Sequence, residues 1–208
     1  MQTQPPSFDL RAVRLRGDRS QRAFRTLMDS LSRPGTLHVL DDDVIVDGVP
    51  SALVLPLAIA DVEVSVAVLG DDDGRWARLL GDATGARVTD HDDADCVAAL
   101  AGLRADHVLA LRRGSAFRPE HGARLVVEVD RLTDAVDTAR LVVEVQGPGV
   151  PGALRFGVDG LAADAIAALN TVNAAFPAGV DTWLVDTDGR VVALPRSSTV
   201  NLPESDQE

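Results

Sequence analysis

Residues 124–146, RLVVEVDRLTDAVDTARLVVEVQ, decide how this chain is read. The stretch opens and closes on β-branched runs, Arg124–Asp130 and Ala139–Gln146, with a polar connection between them. Valine-rich runs of this length bounded by turn residues read as strands, and their closeness in sequence predicts an antiparallel pair. The second run stops at Gly147-Pro148-Gly149-Val150, a sharp turn. Further on, Leu161–Ala174 places Ile166, Leu169 and Val172 on one side of a helix. Phe176-Pro177-Ala178-Gly179-Val180-Asp181 then forms an extended linker into Thr182–Val185. Asp186–Gly189 is a hairpin turn, and Arg190–Leu194 returns as a strand.

Towards the N-terminus the period changes. Phe24, Leu27, Met28 and Leu31 form one apolar stripe of a helix over Ser20–Leu31, capped by Asp18 or Ser20 and stopped by Ser32-Arg33-Pro34-Gly35. A short strand at Thr36–Leu40 follows, then a buried helix at Ser51–Ala60, a strand at Val62–Leu69 and a helix at Gly74–Ala83. Val97–Leu103 fits helix or strand equally, and Val108–Leu111 reads as a short strand. Helices interleave early and hairpins come late, which predicts an α/β fold around one mixed sheet. The expected organisation is a single domain over residues 18–200, a flexible segment over residues 1–17 and a disordered tail over residues 201–208.

Composition narrows the chemistry. A chain of 208 residues is long enough to bury a core without disulfides or metals. All 20 basic residues are Arg, so no side-chain amine is present to form a Schiff base, and covalent pyridoxal phosphate chemistry is excluded. A phosphate loop of the Walker type would lack its Lys. The net charge of −12 argues against a nucleic-acid binder. Cys96 stands alone, ruling out an intrachain disulfide and fitting a reducing cytoplasm. Met1–Phe8 has no apolar core of a secretory signal, and the longest apolar run, Ala52–Ala60, is roughly half a membrane span.

No complete catalytic or metal-binding constellation stands out. His38, His91, His107 and His121 lack ligand spacing, and the triplets Asp41–Asp43 and Asp71–Asp73 lack a calcium-loop pattern and read as solvated turns. Three segments are candidate anion sites. Ser32-Arg33-Pro34-Gly35 sets a guanidinium at a helix C-terminus, where it also suits the helix dipole. Gly147-Pro148-Gly149 offers backbone N–H groups in a nest, or is simply a tight turn. Pro195-Arg196-Ser197-Ser198 gathers a guanidinium and two hydroxyls at a strand end, suited to phosphate oxygens or, for Arg196, to an ion pair with an acid.

Taken in order, these segments resemble the H subunit family of the bacterial phosphonate carbon–phosphorus lyase system. The resemblance rests on Phe24-Arg25-x-Leu27-Met28 leading to Ser32-Arg33-Pro34-Gly35, on Ala60-Asp61, and on Pro119-Glu120-x-Gly122-Ala123. It continues with Gly147-Pro148-Gly149-Val150, Phe176-Pro177-x-Gly179-Val180-Asp181 and Leu194-Pro195-Arg196-Ser197-Ser198. Three positions depart from the family pattern: Ser197 and Ser198 replace Thr, Ala178 replaces Leu, and Asp61-Val62-Glu63 is less polar than usual. The resemblance implies a three-layer α/β/α fold like that of pyridoxal-phosphate transferases, without the cofactor and usually dimeric. It also implies a core complex with the G, I and J subunits. There, with G and I, the subunit supports displacement of adenine from ATP by methylphosphonate, giving alpha-D-ribose 1-methylphosphonate 5-triphosphate, and J later breaks the C–P bond by radical chemistry. No catalytic residue comes with the resemblance. The alternative is a phosphonate- or phosphate-binding module without catalysis.

Overall fold

The computed structural model describes residues 13–15, 17–100 and 102–203. Helix α1 (Asp18–Ser32) buries Ala23, Leu27 and Ser30 and leads through the Arg33–Gly35 turn into β1 (His38–Val39). A 3₁₀ turn over Ser51–Leu53 runs into the short, almost wholly buried α2 (Val54–Ile59). Strand β2 (Ser65–Leu69), helix α3 (Arg75–Thr84) and β3 (Arg87–Val88) make the first parallel crossover. Gly85 ends α3 at φ 81°, a left-handed position that glycine takes without a Cβ penalty. The second crossover runs from β4 (Cys96–Ala99) through α4 (Ala105–Ala110) to β5 (Arg124–Val129). There follow β6 (Arg131–Thr133), β7 (Leu141–Gln146), β8 (Leu154–Asp159), α5 (Ala163–Asn173), β9 (Asp181–Asp186), β10 (Arg190–Leu194) and β11 (Thr199–Asn201).

Two sheets result. The seven-stranded sheet has the order β1-β10-β9-β5-β4-β2-β3; β9, β5, β4, β2 and β3 run parallel, and the β9–β10 hairpin and β1 complete it antiparallel. The second sheet, β11-β7-β8-β6, is antiparallel throughout. The fold is therefore α/β with a mixed sheet.

Strand alternation divides the core in two. Val66, Cys96, Ala98, Val126, Trp183 and Val191 face α1, α2 and α3. Leu125, Val127, Leu184 and Val192 point the other way, into a cluster shared with Ile166 and Leu169 of α5 and with Val143, Phe156 and Val158 of the small sheet. One outer layer is helical as expected; the other combines α4 and α5 with an antiparallel sheet.

The 124–146 stretch forms both expected strands, but they do not pair. Strand β5 lies between β4 and β9, with Val126 opposite Ala98 and Trp183. Strand β7 pairs with β8 and β11 in the other sheet. The physical reason is burial: β5 is covered on both faces, whereas β7 buries Val143 and Val145 and leaves Gln146 exposed. The connection between them contributes β6, paired to β8. Val108–Leu111, expected as a strand, falls largely in α4, and Val97–Leu103 resolves as β4 in its first half.

The ends carry structure further out than the expected boundaries. Val13 and Leu15 are buried in the helix-side core, and Asn201 closes β11. Residues 1–12, 16, 101 and 204–208 lie outside the described residues. Among the described residues no helix is long and apolar enough to cross a membrane.

Candidate functional site

The three candidate anion segments meet in space. The Gly147–Gly149 turn lies between the other two: a Cβ on Gly149 would stand 2.7 Å from the Ser32 carbonyl oxygen, and one on Gly147 would stand 3.0 Å from Ser198 Cα. Gly35 packs against side chains of β7 and β8, its Cβ position 3.3 Å from Val145 and Leu154. Gly147 and Gly149 thus serve close backbone approach between loops. Strand pairing of Thr199 with Gln146 fixes the register of the same junction.

Arg33 and Arg196, each a candidate for an anion, do different things. Arg33 is mostly exposed, its guanidinium 3.9 Å from Asp29. Arg196 is largely buried, and both of its terminal nitrogens are engaged: Nη2 donates to Asp181 Oδ2 at 2.8 Å and Nη1 to the Pro119 carbonyl at 2.6 Å, while its backbone N–H donates to Asp181 Oδ1 at 2.9 Å. The ion-pair reading of Arg196 is the one realised.

Around Arg196 two further loops are locked together. Gly122 abuts Gly179 so closely that a Cβ on Gly122 would stand 2.2 Å from the Gly179 carbonyl oxygen. The Gly179 N–H donates to the Arg113 carbonyl at 2.7 Å, and Asn173 Oδ1 accepts from the Val180 N–H at 2.7 Å. The quoted motifs from Ser32–Gly35 onward, apart from Ala60-Asp61, therefore converge as one braced loop cluster. It lies where β5 and β9 begin, whereas open α/β sheets bind ligands beyond the carboxyl ends of their strands.

Two buried hydroxyls at this end stay unsatisfied among the described residues. Ser198 Oγ, against Gly147, and Thr182 Oγ1, next to Asp181 at the start of β9, have no hydrogen-bond partner; nor does His38 Nε2, on β1 opposite Val191. Burial, with Arg33 nearby, pushes the His38 imidazole below its ordinary value. The Ser198 hydroxyl and the Ser197 carbonyl thus sit by the glycine turn without the Arg196 guanidinium, which points to Asp181.

At the opposite end a cleft of about 340 Å³ is lined by Asp47, Ser51, Trp76, Glu128 and Thr187 among others. Glu128 interrupts the apolar run of β5 and accepts from Ser51 Oγ at 3.1 Å. Sequence reasoning passed over it; its signal is a lone carboxylate inside RLVVEV. The acidic triplets are tied down rather than simply solvated. Arg22 bridges Asp18, Asp41 and Asp43, and Asp71 Oδ2 accepts from the Ala77 N–H at 2.8 Å. No group of three or more His, Cys, Asp or Glu is arranged to hold a metal ion among the described residues.

No curated protein matches the chain. A family model described as bacterial phosphonate metabolism protein (PhnH) matches residues 14–201, a span that takes in every loop of the cluster. With that match and the ordered motifs gathered in one place, the chain belongs to the PhnH family of bacterial phosphonate metabolism.

Proposed function

We propose that this chain is a non-autonomous subunit of a cytoplasmic carbon–phosphorus lyase core complex, working beside G, I and J subunits. With G and I it supports formation of alpha-D-ribose 1-methylphosphonate 5-triphosphate from ATP and methylphosphonate, and turns over nothing alone. Its fold is that of pyridoxal-phosphate transferases stripped of the cofactor, and the free chain is a homodimer built from one domain. The observation that supports this reading is the use of Arg196: the best-placed guanidinium of the family's motifs is spent on Asp181 and Pro119. Motifs consumed in bracing loops suit a subunit that presents a surface. The test is to incubate the purified chain with ATP and methylphosphonate. No adenine release is expected; release by the chain alone overturns the reading.

A second reading is a module that binds an oxyanion without catalysis, at Arg33, Gly35, Gly147, Gly149, Ser197 and Ser198. The unpartnered Ser198 Oγ favours it. Calorimetry with methylphosphonate and inorganic phosphate tests it; heat of binding lost in Ser198→Ala supports it, and no heat with the wild type removes it.

A further inference from the structure

The loop cluster displays two aromatic side chains to solvent. Phe117 is 96% exposed and Phe176 63% exposed; Phe24, on α1, is 44% exposed, Phe156 is buried and Phe8 lies outside the described residues. Exposed large aromatics on a soluble chain mark surfaces that become covered. Neither phenylalanine sits on a loose loop. Phe117 tips a turn closed by reciprocal backbone hydrogen bonds between Ser115 and Arg118, at 3.1–3.2 Å. That turn belongs to the loop that Arg196 holds through Pro119 and that Gly122 docks on Gly179. Phe176 lies three residues before Gly179, on the other half of this contact. A rigid display of this kind lowers the ordering cost of binding.

Charge says what covers it. On a chain of net charge −12, the segment Leu111–His121 holds three arginines, Arg112, Arg113 and Arg118, and one acid, Glu120. Arg112 is half-buried and paired to Asp95; Arg118, next to Phe117 in the chain, is exposed, and Arg113, also exposed, donates from Nη2 to the Leu109 carbonyl at 3.2 Å. A two-fold contact through this patch would lay arginine against arginine, which opposes self-association there. We infer that Phe117 and Phe176, with Arg118 beside Phe117 and Arg113 exposed on the same loop, dock a different polypeptide that offers an apolar socket edged with carboxylates. This rests on the proposed role as a complex subunit and assigns the face that the subunit uses.

The test is co-expression with the G, I and J subunits, comparing the wild type with Phe117→Ser/Phe176→Ser, with Arg118→Glu, and with Val62→Ser, an exposed residue elsewhere. Expected are a loss of co-purification of at least about tenfold for the double variant, a weaker and salt-sensitive complex for Arg118→Glu, and no change for Val62→Ser. Thermal midpoints of the isolated variants should match the wild type, because these side chains are exposed. If the wild type assembles and the double variant assembles equally well, the docking face is wrong while the subunit reading stands. A shift of the free double variant from dimer to monomer makes the occupant a second copy and also overturns the inference. If the wild type itself fails to assemble, both readings fall.

Discussion

Arg196 and Asp181 are joined twice, side chain to side chain at 2.8 Å and backbone N–H to carboxylate at 2.9 Å, on neighbouring strand ends 15 residues apart. Because both groups are largely buried, removing one leaves the other charge without its partner. Arg196→Ala should therefore lower stability by roughly 2–4 kcal/mol. Urea unfolding measures it; a loss below about 0.5 kcal/mol would mean that the pair is idle.

The Gly122–Gly179 contact makes a sharper steric prediction. Gly122→Ala drives a methyl group onto a backbone oxygen that cannot step aside, at a cost of about 3 kcal/mol. Gly152→Ala is the comparison: nothing lies within 4 Å of its Cβ position, but φ is +80°, so about 1 kcal/mol is expected. Gly122 itself has an ordinary φ of −67°, so a loss at Gly122 no larger than that at Gly152 would mean that the loops part at little cost.

Trp183 ties α1 to the sheet, its indole N–H donating to the Leu27 carbonyl at 3.1 Å in a fully buried setting. Trp183→Phe keeps most of the apolar volume and removes the donor, for an expected loss of roughly 1–3 kcal/mol in denaturant unfolding.

Cys96 supplies the pH dependence. Burial on β4 pushes its thiol up to about 12 from an ordinary value near 9. Between those values the unfolded chain gives up this proton and the native chain keeps it. Stability from this group is whole below about pH 9 and falls with a slope approaching 1.4 kcal/mol per pH unit as the pH rises towards 12. The chain has neither Lys nor Tyr to titrate in that window. Urea midpoints of the wild type and Cys96→Ala from pH 8 to 11 should converge on that slope difference. Parallel profiles would mean that the thiol reaches solvent in the native state.

Much of the fold was legible because its signals are local. The stripe of Phe24, Leu27 and Leu31 and the breaker Ser32–Gly35 bound α1 to within a few residues, and Asp186–Gly189 marked its hairpin. Pairing was not legible. RLVVEV at residues 124–129 and at residues 140–145 is one pattern in two settings, a central parallel strand and a strand of a small antiparallel sheet, and only distant partners distinguish them. Val108–Leu111 is too short to separate periods of 2 and 3.6, so its place in α4 was lost. For the site, the motifs themselves were visible and their meeting was not. For Arg196 the sequence left an anion and an ion pair both open, because Asp181, its partner, lies across the β9–β10 hairpin.

The claim that carries the rest is that this chain works only inside an assembly. Its most direct measurement is the mass of the species formed when the chain is co-expressed with G, I and J subunits and the mixture is resolved by size with light scattering. The account predicts one stoichiometric particle that contains this chain; elution of the chain by itself, with the other three assembled without it, would contradict the account.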